Sequence, residues 1–460
     1  MGISAENKEF NARVAQSVGD MVQHEKINFT IRQYDKAVGD GLKQYAKLPT
    51  ARQRSGYIKY KVINELDRYL IEFEDNFTSN GGKIIWAKDA EEALHEIDKV
   101  IKKHEVTSIV KSKSMVTEEI ALNDHLIHKG VEVIETDLGE FIVQQANDKP
   151  FHIVTPAMHF SKEDVAVLYH KKFNTPENLT PEEITDFTRK YLREKFANAQ
   201  MGITGANFLI SDIGAVAVTE NEGNALLSMS LPKVHLVIAG IEKLLPSMDN
   251  LDLFWPLLAS YGTGQPVTAY NSIISGPRKE GEFSGPDEMI VVLIDNGRTK
   301  VLEQEKQRQA LSCIKCGACL NACPVFKLVG GKSYGTTYPG PIGAVITPFM
   351  KDFDTYKHLS YASTLCGKCD TVCPVNIPLH NLLLYNRNYA VNNGFIKGSE
   401  SRKVRWLSKA MSSRKLLDLP GSGIKNMLVH LSMKKSWGNQ RTLPKIAPAS
   451  FNKIWKDKTK

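Results

Sequence analysis

All seven cysteines of this 460-residue chain fall between Cys313 and Cys373, and none occurs earlier. An odd number crowded into one short segment does not make a disulfide framework, which pairs its cysteines through a small secreted fold. The spacing points to metal instead. The first group is Cys313-x2-Cys316-x2-Cys319-x3-Cys323, followed by Pro324. A chain with this pattern sets three thiolates around one face of a [4Fe–4S] cube and sends the fourth elsewhere. Two-residue gaps let a tight loop aim successive sulfurs at different irons, and Gly317 can supply an unusual backbone angle there. Soft, anionic thiolates also neutralise an iron–sulfur core. The rival is a zinc ribbon, which takes pairs of CxxC and stops at four ligands.

The second group is Cys366-x2-Cys369-x3-Cys373, followed by Pro374, with Ser363 where a full copy of the first would place a cysteine. In paired motifs the last cysteine of each serves the other cluster. Cys313, Cys316, Cys319 and Cys373 are thereby assigned to one [4Fe–4S] cluster, and Cys323, Cys366 and Cys369 to a second. With three cysteines, the second is a [3Fe–4S] centre or a [4Fe–4S] centre whose remaining iron takes Ser363, water or another ligand. A single cluster with three spare thiols is the alternative. The 42 residues between Cys323 and Cys366 exceed the usual separation in a compact bacterial ferredoxin. With helix-like flanks, the segment is similar to the α-helical ferredoxin module of succinate dehydrogenase. Such a module passes single electrons and needs no acid–base residue.

Upstream the pattern changes. Residues 1–56 read as a polar helical segment. From 57 to 300 helices alternate with short β-branched runs, which predicts an α/β domain with a largely parallel sheet. Helices are expected over 59–77, 90–104, 115–128, 161–172 and 181–199. Strands are expected at 81–87, 107–112, 131–135, 141–146, 152–157, 234–240 and 289–295, with a hairpin across 206–221. An all-α ferredoxin domain follows over 301–394, and a basic tail over 395–460. Lys111, Ser112, Lys113 and Ser114 follow one predicted strand, and Asp137, Gly139 and Glu140 another. Ligands of open α/β sheets bind at such strand ends, although helix caps and turns use the same residue types. The run Thr219-Glu220-Asn221-Glu222-Gly223 is a broken form of a CoA-transferase signature, with Glu220 at the position of the nucleophile. Phe326 stands where a P-loop ending in Lys332-Ser333 needs glycine, Gly262-x-Gly264 is a lone pair of turn glycines, and no flavin signature is visible.

Charge bears on partners. The net charge of +8 hides an asymmetry: 394–460 carries sixteen Lys and Arg against Glu400, Asp418 and Asp457, while the remainder has 43 basic and 48 acidic residues. Without a helix-turn-helix, zinc finger or aromatic-basic stripe, nucleic acid is not an expected partner. The tail, including the amphipathic stretch 401–417 with Val404, Leu407 and Met411, is expected to dock on an acidic partner or an anionic membrane, or to be a solvated face. At 42% hydrophobic and 24% charged the chain is neither disordered nor fibrous, and its apolar runs are strand-sized, as at 289–294. The polar N-terminus has no signal-peptide core, and Glu6 breaks a myristoylation motif at Gly2. A cytoplasmic protein is expected, with membrane association through the tail left open.

The arrangement as a whole carries a resemblance. GVEVIETDLGEFIVQ (130–144) and GITGANFLISDIGAVAVTENEGNALL (202–227) precede CIKCGACLNACPV (313–325), YGTTYPGPIGAVITP (334–348) and LCGKCDTVCPVNIPLH (365–380). Over roughly 60–430 this resembles the lactate utilization protein B family, iron–sulfur subunits of a bacterial L-lactate oxidation system. Serine at position 363 fits that family. The resemblance implies a lactate-utilization domain similar in fold to ribose-5-phosphate isomerases and CoA transferases. It also implies conversion of L-lactate to pyruvate beside two partner subunits: a cysteine-rich, heterodisulfide-reductase-like protein and a second lactate-utilization-domain protein. The rival reading is an independent isomerase or acyl-CoA transferase acting through Glu220, with clusters that sense redox state.

Overall fold

The computed structural model describes residues 4–396, 405–409, 411–414, 421–437 and 442–459. The chain divides into a large unit over 3–390 and a small one formed chiefly by 391–460.

In the large unit, ten strands form two sheets: β1 (Lys83–Ala87), β2 (Ser108–Lys111), β3 (Glu132–Glu135), β4 (Met201–Thr204), β5 (Phe208–Ile210), β6 (Ala215–Glu220), β7 (Val234–Gly240), β8 (Leu244–Leu245), β9 (Tyr270–Ile274) and β10 (Glu288–Ile294). The first sheet runs β1-β10-β7-β4-β2-β3 and is parallel throughout. The second runs β8-β5-β6-β9, with β5 and β6 forming the expected antiparallel pair. The uninterrupted apolar runs of β7 and β10 suit strands covered on both faces. Ile290, Val292 and Ile294 pack with Ile97, Leu122 and Leu126 on one side, while Met289, Val291 and Leu293 pack with Phe73 and Phe77 on the other. Full burial of each such side chain contributes about 1.5–3 kcal/mol.

Several local expectations are corrected. Residues 141–146 are not a strand but part of the helix Leu138–Gln145. The Asp137 side chain accepts from the Glu140 N–H at 3.1 Å, capping the helix start. Consecutive Phe141, Ile142 and Val143 are all buried there, without the alternation of a half-exposed strand. Residues 152–157 are not a strand either: the segment turns sharply, closed by a bond from the Phe151 N–H to the Pro156 carbonyl at 2.9 Å. The expected helix 115–128 is broken into Met115–Glu119 and Leu122–His128, with Ala121 left-handed at φ 52° between them. The helix at 59–77 is likewise two, Leu48–Asn64 and Leu66–Ser79. Strands β4, β8 and β9 and the helix Leu251–Gly262 escaped the sequence reading.

The cysteine-bearing region is helical, as expected. Its longer helices are Gly340–Met350 and Leu379–Asn392, and shorter ones at Ala318–Ala322 and Lys368–Thr371 carry cysteines. One hydrophobic core joins it to the N-terminal helices and the second sheet: Phe10, Ile27 and Ile31 pack with Phe326, Tyr334, Leu382, Phe208 and Phe254. Residues 4–56 are therefore built into the body beside the cysteines.

In the small unit, helices Ser422–Trp437 and Phe451–Lys458 are described, and Phe451 stacks on Trp455. Leu407 and Met411 are exposed, while 401–404, 410 and 415–417 of the amphipathic stretch, Val404 among them, lie outside the described residues. No helix among the described residues is long and apolar enough to cross a membrane.

Candidate iron–sulfur centre and adjoining cavity

The two cysteine loops repeat one backbone trace. After Cys313, Lys315 (φ 60°) and Gly317 (φ 77°) are left-handed; after Ser363, Leu365 (φ 55°) and Gly367 (φ 74°) repeat the sequence of angles. The Lys315 N–H donates to Cys313 Sγ at 3.4 Å, and the Leu365 N–H donates to Ser363 Oγ at 3.1 Å. Ser363 thus occupies the place of Cys313 with oxygen for sulfur. Each loop then enters a short helix carrying its third cysteine position, Cys319 or Cys369, and leaves at a Cys-Pro step.

Cys313, Cys316, Cys319 and Cys373 line one small apolar cavity with Ile153, Ile342, Ile377 and Leu379. The last cysteine of the second loop therefore joins the first three of the first. Cys323 is within electrostatic reach of Cys366 and Cys369 instead. Burial pushes the thiols of Cys316 and Cys319 up, and that of Cys373 up to about 12, with neighbouring sulfurs adding to each shift. Four thiolates in an apolar box need a cationic core to balance them, and a cluster's iron supplies one. A single zinc ion gathers all its thiolates at about 2.3 Å around one point. A cluster gives each thiolate its own iron. Backbone N–H groups also meet the sulfurs, as from Ile377 to Cys373 Sγ at 3.3 Å, and such bonds tune a cluster's potential.

The surroundings hold both loops in place. Arg52, from the helix Leu48–Asn64, donates to the carbonyls of Cys373 and Asp370 at 2.9 Å each, and Ser55 Oγ donates to that of Pro374 at 2.8 Å. The turns at 151–158 press His152 and Val154 against the first loop. A Cβ added at Gly317 would lie 2.8 Å from the His152 ring and 3.0 Å from Val154.

A larger cavity of about 320 Å³ opens at the carboxyl ends of β2, β4 and β6. Of the residues expected at strand ends, Ser112, Lys113, Ser114 and Asp137 line it, as does Glu220 of the transferase-like run. Lys111 and Glu140 do not. Lys111 is buried behind the strand end, paired with Glu135 at 2.7 Å. Glu140 is buried on its helix, where loss of solvent and the nearby Glu135 push its carboxyl up to about 8. Glu220 accepts from the N–H groups of Ala225 and Leu226 at 2.8 and 2.7 Å, so both its oxygens hold the start of the helix Asn224–Ser230.

The sequence reading missed Glu222, Lys243, Lys315 and Tyr338, which also line this cavity. Glu222 accepts from the Leu138 N–H at 3.0 Å, and burial together with Asp137 pushes it up to about 7. Burial lowers Lys243 to about 8; adjacent Lys315 adds to this and Glu242 opposes it. Lys315 Nζ lies 4.1 Å above the Tyr338 ring, a cation–π contact, and the Tyr338 hydroxyl donates to Glu119 at 2.7 Å. Behind these lies a buried cluster in which Arg298 binds Glu119 through both carboxylate oxygens and Glu242 through a third bond. Ile314, Lys315 and Cys316 form one wall of the cavity. The first cysteine loop thus faces a cluster site on one side and this cavity on the other.

Comparison with known proteins agrees with this two-part layout. Residues 70–294 match the LUD domain family, and residues 309–377 match the 4Fe-4S dicluster domain family. The chain is 38% identical to the lactate utilization protein B of Bacillus cytotoxicus, over 100% of this chain and 99% of that one. The proteins of the same name from Bacillus thuringiensis and Bacillus anthracis match at the same identity and coverage. A crystal structure of a DUF162 family protein from Deinococcus radiodurans aligns with 50% of this chain and 98% of its own, at 12% identity and a TM-score of 0.28. With 38% identity running over 100% of this chain and 99% of its relative, the chain belongs to the lactate utilization protein B family.

Proposed function

We propose that the chain is the iron–sulfur electron-transfer subunit of a complex that oxidises L-lactate to pyruvate. One observation carries the reading: the loop bearing Cys313 and Cys316 also walls a polar cavity at the carboxyl end of the α/β domain. A substrate site and an electron acceptor would then share a single loop. Held by Cys313, Cys316, Cys319 and Cys373 at one site and by Cys323, Cys366 and Cys369 at the other, iron–sulfur clusters supply one-electron transfer, and lactate oxidation releases two electrons.

The chain's own residues set the conditions. Ile153, Ile342, Ile377 and Leu379 keep water from the first site. Cys366 is exposed, which puts the second site where an acceptor can approach. Ser363, in the place of Cys313, is the non-cysteine position of that second site. The names of the relatives supply lactate as substrate. The family resemblance supplies the two partner subunits, one cysteine-rich and one with a second lactate-utilization domain. The surplus of positive charge over 394–460 suits a quinone-linked acceptor at an anionic membrane. A transferase role for Glu220 is disfavoured, because both its oxygens already hold backbone N–H groups.

The test is anaerobic purification with iron and acid-labile sulfide counts, followed by EPR before and after reduction. About seven or eight irons and two reducible centres are expected. Lactate should reduce those centres when the partner subunits are present. Zinc in place of iron, or centres that lactate leaves oxidised in the assembled complex, would overturn the reading.

A further inference from the structure

The cavity beside the first cysteine loop is lined by three lysines, Lys113, Lys243 and Lys315. Among the described residues none of them forms an ion pair: the pairs nearby join Lys111 to Glu135 and Arg298 to Glu119 and Glu242. Lys113 Nζ donates to the Val154 carbonyl at 2.5 Å, and Lys315 lies over the Tyr338 ring. Lys243 has Glu242 beside it in sequence, but that carboxylate is taken by Arg298 at 2.5 Å. Lys243 and Lys315 are close enough for one cation to disfavour the other. Both lysines line the cavity and neither is joined to a carboxylate in an ion pair, so an anion seated between them meets two cations at once.

The cysteine-loop trace sets where Lys315 lies. Lys315 is left-handed at φ 60°, a conformation that costs a residue other than glycine roughly 1–2 kcal/mol. It directly precedes Cys316 in the first cysteine loop, with its ammonium above Tyr338 at the cavity wall. Also on the cavity lining, Glu222 uses one oxygen on the Leu138 N–H. A carboxyl group that titrates near neutrality can accept a hydrogen bond from a hydroxyl or donate one to a ketone.

We propose that this cavity binds a small α-hydroxy- or α-oxo-carboxylate, with its carboxylate between Lys243 and Lys315 and its hydroxyl or oxo group toward Glu222. The inference rests on the electron-transfer reading for the kind of ligand, but the anion site stands on the lysines alone. Since Lys315 belongs to the Cys313–Cys316 loop, a bound anion neutralises a cation beside the first iron–sulfur site, and the cluster's EPR signal registers binding.

The experiment titrates the anaerobically purified holo-chain with oxamate, an unreactive analogue of pyruvate, by calorimetry and by EPR of the reduced protein. Saturable binding with a change in the EPR line shape is expected. Lys243→Met and Lys315→Met should each weaken binding by about tenfold or more, as the loss of a charge-assisted hydrogen bond does. Lys243→Arg should bind nearly as the parent does, and unchanged iron content would show that the variants fold. Absence of binding by the parent, equal binding by both methionine variants, or displacement of oxamate by equimolar sulfate would overturn the proposal. If oxamate fails to bind while both centres remain reducible, the relay stands and the substrate site lies in another subunit. If oxamate binds but no reducible centre is found, the relay fails and the anion site stands.

Discussion

Replacing Arg298 by methionine removes the one cation between two buried carboxylates. Arg298 Nε donates to Glu242 at 2.5 Å, Nη1 and Nη2 donate to Glu119 at 2.9 Å each, and Nη1 also donates to the Asp295 carbonyl at 2.9 Å. The side chains are 1% exposed for Arg298 and 4% for each glutamate, so water cannot replace the lost partner. Breaking one buried pair costs about 3–5 kcal/mol, and here one deletion strands two carboxylates, which favours the upper end. An unfolding entropy of about 2.1 cal/mol/K per residue, taken over the large unit of residues 3–390, converts that to a fall in Tm of roughly 5 °C. Differential scanning calorimetry of the anaerobic holo-protein at neutral pH reads it directly. The pH dependence has a definite sign. In the parent, Arg298 outweighs burial and holds Glu119 below its ordinary value and Glu242 down to about 2. That stability is present above the unfolded carboxyl value and is lost as pH falls through the folded one. In the variant both carboxyls rise, so they are penalised at neutral pH and relieved on acidification. The deficit should therefore shrink between about pH 7 and pH 5. A Tm within about 1 °C of the parent at neutral pH, or a deficit that grows on acidification, would refute the reasoning.

Three further outcomes are expected. Cys373→Ser should abolish the EPR signal of the same centre as Cys313→Ser, while Cys323→Ser abolishes that of Cys366→Ser; pairing of Cys373 with Cys366 instead would contradict the crossed ligation. Gly317→Ala forces a Cβ onto His152 at φ 77° and should lower stability by about 1–2 kcal/mol and slow cluster reconstitution, measured by the return of iron–sulfur absorbance. Oxamate binding should weaken as pH rises, because Glu222 gains its charge past about 7 and Lys243 loses its own past about 8. Glu222→Gln should remove the first of these losses, and a flat calorimetric profile across that range would count against both assignments.

The parts of the molecule legible in its sequence are those set by short spacings. The cysteine spacing marked the two loops, whose Cys313, Cys316, Cys319 and Cys373 line one cavity, and the apolar runs at 234–240 and 289–295 are the central strands of a sheet buried on both faces. The misread segments failed where tertiary packing outweighed local pattern. Phe141-Ile142-Val143 is β-rich in composition, but the Asp137 cap starts a helix there and Phe141 packs among Tyr169, Phe173 and Tyr191. His152-Ile153-Val154 looks extended, yet it turns against the first cysteine loop, with His152 Nδ1 accepting from the Val154 and Thr155 N–H groups. The cavity was half visible: Ser112, Ser114 and Asp137 follow strands, and that position was the signal, whereas Glu220 stood out only through the broken transferase run. Lys243 follows β7 and carries the same signal. Lys315 carries none, because it reaches the cavity only once the cysteine region folds against the α/β domain.

Arg52 and Ser55 fasten the Cys369–Pro374 segment from more than 300 positions earlier in the chain. During synthesis the N-terminal helices leave the ribosome long before the residues they will hold, with Phe10, Ile27 and Ile31 lacking the side chains that later bury them. Closing so long a loop is slow and precedes any stabilising contact, so the cluster pocket is among the last parts of the chain to form. Iron and sulfide would then have to enter a nearly finished protein, after the N-terminal helices have closed on the second cysteine loop.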